Sequence, residues 1–308
     1  MYRRVLITGA NGMLGQELVR QMGRIPTYDI LATSRQNAPL FDGGSCGYLP
    51  MDIGDMKAVS AAFQDFSPDT VINCAAMTEV DACETDRDIC WQINAKAVEN
   101  LGRLCHKTGT HLIQVSTDFI FDGLTGPYKE QDRPNPLSYY GRSKLAGENG
   151  ARQAGPDQWA IARTVLVFGT GENLSRSNFV LWVVDALSKG ETIRVVTDQF
   201  RSPTYAPDLA NGIERLVRFK KNGIYHISGR ETLSVYDIAI QTADVFGLDK
   251  SLIERTDSMQ FKQRALRPPR TGFLILKAET ELGYKPHSLK DALADLSRRL
   301  KLQTSDRL

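Results

Sequence analysis

Charge of one sign is nearly absent from the balance of this 308-residue chain: 38 Lys and Arg stand against 36 Asp and Glu, a formal net of +2. No summed field draws such a chain to nucleic acid or to an acidic membrane surface, so an anionic ligand has to be held by a local site. Cysteine is scarce as well. The five present, Cys46, Cys74, Cys83, Cys90 and Cys105, are odd in number, include no C-x-x-C pair and sit in apolar or helix-patterned segments. That argues against a disulfide framework or a metal site and for a reduced, cytoplasmic setting. Long apolar runs are missing too. Even residues 179–184 (FVLWVV) are cut by Asp185, well short of the ~18 residues of a membrane span. The opening Arg3-Arg4-Val5-Leu6-Ile7 imitates a leader, but its apolar stretch stops at Thr8-Gly9, so it reads as a buried strand. What is there, 42% apolar and 24% charged residues, is the composition of a soluble globular protein. At roughly 150 residues per domain, the length suits one large domain or two ordinary ones.

Short β-branched runs alternate with stretches of helical period through the first half. Strands are expected at residues 4–8, 29–33, 71–74, 111–116 and 160–165, and helices at 13–22, 56–63, 90–108 and 138–153, with apolar residues at i, i+3 and i+4. Such alternation implies an α/β fold, a Rossmann-like doubly wound parallel sheet covered on both faces, with ligands beyond the carboxyl ends of its strands. After about residue 168 the pattern loosens. A helix over 178–188, a strand over 192–196, a helix over 207–218, a strand over 223–228 and helices over 234–246 and 288–300 follow. The reading is a nucleotide-binding domain of residues 1–165 plus about 207–228, and a second, smaller α/β substrate-binding lobe of about 166–206 and 229–308.

Directly after the first strand comes Thr8-Gly9-Ala10-Asn11-Gly12-Met13-Leu14-Gly15. Gly9, Gly12 and Gly15 let the chain turn tightly, bring amides between Asn11, Met13 and Leu14 close to a pyrophosphate, and pack the new helix on the sheet, its N-terminus facing the phosphate charge. Three glycines alone would equally serve a tight strand-to-helix turn; the strand before and the amphipathic helix after favour the phosphate. An acid about 20 residues on would mark NAD, whereas an Arg accommodates the 2′-phosphate of NADP. Ser34-Arg35 ends the second strand here and favours NADPH, with NADH and a solvated surface Arg35 left open. Asp52, with Ile53 beside it after the third strand at residues 50–53, is placed either to accept from the adenine amino group or to form a turn before Gly54.

Residues 135–145 (NPLSYYGRSKL) begin a helix after two prolines that cannot sit in its interior. Tyr140 and Lys144, four apart, share one helix face. A phenol with an ordinary pKa near 10 can protonate a carbonyl oxygen, and a neighbouring ammonium that brought it toward 7 would contribute about 4 kcal/mol to the phenolate. Taken alone the pair is a surface coincidence. The preceding strand, however, ends Gln114-Val115-Ser116-Thr117-Asp118, so Thr117 falls at the carboxyl edge, where it can hydrogen-bond a substrate oxygen beside Tyr140.

Together these segments resemble the extended short-chain dehydrogenase/reductases and, within them, the dTDP-4-dehydrorhamnose reductase family. The likeness is carried by residues 8–15, by Asn73-Cys74-Ala75-Ala76-Met77-Thr78 with Val80-Asp81, by residues 116–123 (STDFIFDG), and by Tyr140-Gly141-Arg142-Ser143-Lys144-Leu145-Ala146-Gly147-Glu148. Asp198-Gln199, Pro203-Thr204 and Arg267-Pro268 complete it. The resemblance implies Thr117, Tyr140 and Lys144 as catalytic residues. It places Ala75 and Ala76 on the nicotinamide side and gives Asn94 a supporting role. The implied reaction is NADPH-dependent reduction of the 4-keto group of a nucleotide-activated 6-deoxy sugar, with Thr78, Asp118, Phe119 and Arg201 at the sugar nucleotide. Arg267 is expected either on the diphosphate or in a salt bridge between lobes. No metal is implied, and a homodimer is left open.

Two side chains of that pocket are changed. Phe119 stands where the family has Tyr, and Arg163-Thr164-Val165-Leu166 where it reads Arg-Thr-Ser-Trp. Sugar-nucleotide dehydratases and epimerases share the glycine loop and Tyr-x-x-x-Lys, but dehydratases resembling this chain carry Glu at the position of Phe119, and a phenyl ring transfers no proton. A third reading is a non-catalytic regulatory subunit resembling that of methionine adenosyltransferase; Thr117, Tyr140 and Lys144 would be idle in it.

Overall fold

The computed structural model describes residues 3–174, 177–260 and 264–305. In chain order its first half runs β1 (Arg3–Thr8), α1 (Met13–Met22), β2 (Tyr28–Ser34), β3 (Gly47–Pro50), α2 (Met56–Phe66), β4 (Thr70–Asn73), α3 (Val80–Thr85), α4 (Arg87–Trp91), α5 (Ala97–Thr108), β5 (His111–Thr117), α6 (Tyr139–Ala151) and β6 (Trp159–Thr164). The second half adds β7 (Val167–Phe168), α7 (Phe179–Ser188), β8 (Ile193–Val196), β9 (Phe200–Arg201), β10 (Thr204–Tyr205), α8 (Ala206–Arg218) and β11 (Gly223–His226). Then come β12 (Leu233–Ser234), α9 (Val235–Phe246), β13 (Ile253–Thr256), α10 (Leu276–Leu282) and α11 (Leu289–Ser305).

Seven of these strands form one parallel sheet in the order β11-β6-β5-β4-β1-β2-β3. The α/β, doubly wound Rossmann-like fold is therefore the one the alternation implied. Its chemistry is visible in β1, where Val5 and Ile7 join Ile72, Ile113 and residues of α1 and α8 in one apolar cluster, while Leu6 joins Val71, Leu112 and residues of α2 and α5 in the cluster on the other face. Val5, Leu6 and Ile7 are all 0% exposed. A strand buried on both faces has to be apolar at successive positions, not alternate ones. The chain reverses its winding direction between β1 and β4, and the crevice at that switch point opens at their carboxyl ends.

Two further apolar clusters lie outside the large sheet. One gathers α7, β8, α9 and β13 around Val183, Val195, Ala239 and Ile253; the other gathers α7, α9 and α11 around Val180, Ile238 and Leu293. β8 and β13 pair in parallel, from Ile193 against Ile253 to Val196 against Thr256. The expected third strand is displaced: pairing covers Gly47–Pro50, and Met51 and Ile53 are buried as loop residues. The single helix expected over 90–108 is interrupted by one π turn at Gln92–Lys96. No helix among the described residues is long and apolar enough to cross a membrane.

One charged pair ties α6 to the sheet. Arg163, on β6, places Nε 2.9 Å from Glu148 Oε1 and Nη2 2.8 Å from Oε2, with side chains 2% and 0% exposed. Ser116 Oγ donates to the same carboxylate at 2.6 Å. Removing one partner of such a pair leaves the other buried and unpaired. Arg163→Met should therefore lower stability in urea unfolding by about 3–5 kcal/mol, and adding Glu148→Leu should recover much of the loss.

Candidate functional site

The glycine turn comes first. Gly9 has φ +65°, and a Cβ there would stand 2.8 Å from Ala75 N; a Cβ on Gly15 would stand 2.4 Å from Gly9 O. The turns after β1 and β4 therefore meet backbone to backbone. Gly12 begins α1, and no side chain caps that helix. Its first amides, around Met13 and Leu14, are left for a ligand, which is the arrangement a pyrophosphate needs. Asn11 ties this turn to the segment beyond β2, donating from Nδ2 to Ser34 Oγ at 2.9 Å and accepting at Oδ1 from Leu40 N at 3.0 Å. Arg35, next to Ser34, is exposed and has no hydrogen-bond or ion-pair partner among the described residues. Asp52 is exposed and accepts from Gly54 N at 2.8 Å, so its carboxylate holds a turn; Ile53 belongs to the core.

Beyond β4 the segment of Ala75 and Ala76 is fixed by Asn94. Its Oδ1 accepts from Met77 N and its Nδ2 donates to Met77 O, both at 2.9 Å, and Nδ2 also reaches Ser143 Oγ at 3.1 Å. The π turn rotates this asparagine inward, where it is 1% exposed. Thr78, just beyond, is exposed.

The hydroxyl residues converge at the end of β5. Ser138 caps α6, accepting from Gly141 N at 3.1 Å, and aims the first turn of the helix at the sheet edge. Tyr140 is 7% exposed, with the Thr117 hydroxyl beside its phenol; Lys144 is 5% exposed and donates from Nζ to Val115 O at 2.7 Å. The phenol is not drawn down toward neutrality as the spacing suggested. Burial pushes it up, the neighbouring Thr117 hydroxyl offsets part of this, and Asp118 pushes it up further. Burial brings Lys144 down to about 8, partly offset by Glu148. With its amine on a backbone carbonyl, Lys144 leaves the phenol protonated, the form that donates.

Next to Thr117, Asp118 is 2% exposed and accepts from Thr117 Oγ1 at 3.0 Å and from Thr271 Oγ1. Its Oδ2 lies 3.8 Å from Arg201 Nε, and burial raises its pKa against the pull of that guanidinium. Phe119 sets its ring edge-on to Tyr140, 5.8 Å between centroids. Arg201, 3% exposed, also donates to Phe200 O at 2.7 Å. Asp118, Phe119, Arg201 and Arg267 line one cavity of about 280 Å³. Arg267 is engaged by Asp81, with Nη2 2.6 Å from Oδ2, which is the salt-bridge alternative of its two expected places. Glu148, Arg163 and Thr271 were not singled out from the sequence. Arg163 had a signal, a charge inside an apolar strand; Thr271 had none. Among the described residues no cluster of His, Cys, Asp or Glu could hold a metal ion.

This geometry, a glycine turn at a helix N-terminus without a side-chain cap and a buried Thr-Tyr-Lys set at the end of β5, fits a dinucleotide-dependent oxidoreductase of the short-chain type. Residues 3–302 match the family described as RmlD substrate binding domain, and the chain belongs to it. It is 34% identical over 292 residues to the probable low-salt glycan biosynthesis reductase Agl14 of Haloferax volcanii, covering 94% of this chain and 96% of that one. It is 34% identical to a dTDP-4-dehydrorhamnose reductase of Streptomyces griseus (86% and 83% covered) and 34% identical to subunit beta of methionine adenosyltransferase 2 of Xenopus laevis (81% and 74%). A solved dTDP-4-dehydrorhamnose reductase of Bacillus anthracis in complex with NADP is similar at TM-score 0.84 and 30% identity over 96% of this chain and 99% of that one. The chain is an NAD(P)H-dependent oxidoreductase of this type.

Lys144 is a group near the phenol that titrates in the working range. Its ammonium, expected to favour a developing phenolate, is lost as pH rises through about 8. Carbonyl reduction, followed as kcat/KM against pH, should fall above that point. Lys144→Met should remove the limb with most of the activity, whereas Cys90→Ala, which deletes a buried thiol drawn down chiefly by the neighbouring Cys83, should leave the limb in place.

Proposed function

We propose that this protein uses NADPH to reduce the 4-keto group of a nucleotide-activated 6-deoxy sugar, and that its substrate is dTDP-4-dehydro-6-deoxy-L-mannose, giving dTDP-L-rhamnose. The observation that carries the reading is the buried contact of Tyr140 with Thr117 at the carboxyl end of β5, beside a cavity that Asp118, Phe119 and Arg201 share. When bound, the nicotinamide supplies the hydride to the carbonyl carbon. Tyr140 gives its proton to the carbonyl oxygen, Thr117 orients that oxygen, and the Lys144 ammonium favours the phenolate left behind. Residues of about 166–206 and 229–308 form the lobe that takes the sugar nucleotide, and the enzyme works in the cytoplasm.

NADPH is favoured over NADH by Arg35, a guanidinium unpaired among the described residues and one residue beyond β2, within the segment that Asn11 ties to the glycine turn. The set of donor, orienting hydroxyl and ammonium favours an enzyme over a regulatory subunit, and Phe119 disfavours a dehydratase.

Two substitutions test this. Tyr140→Phe should cut turnover of the keto-sugar nucleotide by about 10²-fold or more while NADPH still binds, since only proton transfer is removed; undiminished turnover would refute the assignment. Arg35→Ala should raise the Kd for NADPH far more than that for NADH, measured by titration of cofactor fluorescence. Equal losses would mean that Arg35 recognises no phosphate.

A further inference from the structure

The cavity that Asp118 lines also has walls that proton transfer does not use. Five of its lining residues are apolar or aromatic side chains outside the hydroxyl cluster: Leu166, Phe179, Trp182, Val195 and Val196. Trp182 is 41% exposed on α7, its ring 5.8 Å from that of Phe179. The helix does not need this indole for its own packing, because Val180 and Val183, at 0% exposure, carry the buried face. Cationic side chains line the same space. Arg194 approaches Glu254 at 3.7 Å with both side chains more than half exposed, and Arg267 is paired with Asp81. One cavity thus presents the Asp118 carboxylate, which accepts from Thr117, together with guanidinium groups and a solvent-facing aromatic plate, which suit a sugar hydroxyl, a diphosphate and a base.

We propose that Trp182 is a substrate-binding residue: its exposed indole face stacks on the base of the nucleoside diphosphate while Arg194, on the same cavity, meets the diphosphate. This rests on the nucleotide-sugar reductase reading above and adds to it the residue that grips the nucleotide. Stacking contributes binding that is equal in the ground and transition states, so its loss appears in KM and not in kcat.

The test uses the full chain with Trp182→Ala and Trp182→Phe. With a dTDP-4-keto-6-deoxy sugar and NADPH, Trp182→Ala should raise KM about 10- to 100-fold with kcat little changed, and Trp182→Phe, which keeps an aromatic face, should recover most of the affinity. Of the three tryptophans, Trp91, Trp159 and Trp182, the last should be the one that dTDP quenches in fluorescence titration, the quenching vanishing in both variants. The NADPH Kd should stay at the wild-type value. If wild-type enzyme reduces the keto sugar but Trp182→Ala keeps the same KM and dTDP affinity, the stacking role is overturned and the reductase reading stands. A parallel loss of NADPH affinity would mark a structural role and overturn it too. If wild-type enzyme neither consumes NADPH with any keto-sugar nucleotide nor binds dTDP, the reductase reading fails first and the stacking role with it.

Discussion

The whole site depends on how α6 is seated against β5 and β6. A phenol is useful only if its oxygen stays within hydrogen-bond reach of Thr117, and a helix can slide or roll on a sheet unless something specific stops it. Three contacts do. Lys144 Nζ is fastened to Val115 O, Ser116 Oγ to Glu148, and Glu148 to Arg163. They follow one helix face at intervals of four, Tyr140, Lys144 and Glu148, so the proposed proton donor and the residues that fix its helix lie on a single line. Glycine does the rest: a Cβ on Gly147 would stand 2.2 Å from Asn94 O, and one on Gly141 2.2 Å from Phe119 O. The helix is pressed to backbone distance on its other side as well.

The parts legible in the sequence were those whose cause is local. The glycine turn after β1 follows from three residues within seven, and the placing of Tyr140 and Lys144 on one face of α6 from the pitch of a helix. Doubly buried strands announced themselves as unbroken apolar runs. What stayed hidden needed distant partners. The π turn at Gln92–Lys96 is set by Asn94 reaching the backbone of Met77, 17 positions earlier, and nothing in residues 90–108 alone breaks a helix there. β13 exists because β8 lies beside it, and α10 because Ala278 and Leu282 complete the core under α8. The third strand was misplaced for a similar reason: Met51 and Ile53 are as apolar as strand residues, but the ladder to β2 ends with Ser34 against Pro50.

The catalytic chemistry was only half legible. Spacing alone places an ammonium near a phenol, but it does not give the order of their proton affinities. Burial of both groups decides that order, raising the phenol and lowering the amine. Desolvation disfavours whichever form is charged, so it acts with opposite sign on an acid and a base. The chain alone therefore holds its proton on Tyr140, suited to giving it up to a carbonyl oxygen that becomes negative during reduction.

Thr117 then meets a constraint of its own, since a hydroxyl has one proton to donate. Asp118 accepts at 3.0 Å, and the phenol of Tyr140 lies on the other side. The carboxylate is already supplied by Thr271 and by the nearby guanidinium of Arg201, so it does not depend on Thr117 for its satisfaction. A ligand hydroxyl that donated to Asp118 would take the place of Thr117 there and free its proton for the carbonyl oxygen. A sugar that carries a hydroxyl beside the keto group can do both at once. A simple ketone cannot, and on the proposed reading that difference gives the site a physical reason to prefer a sugar.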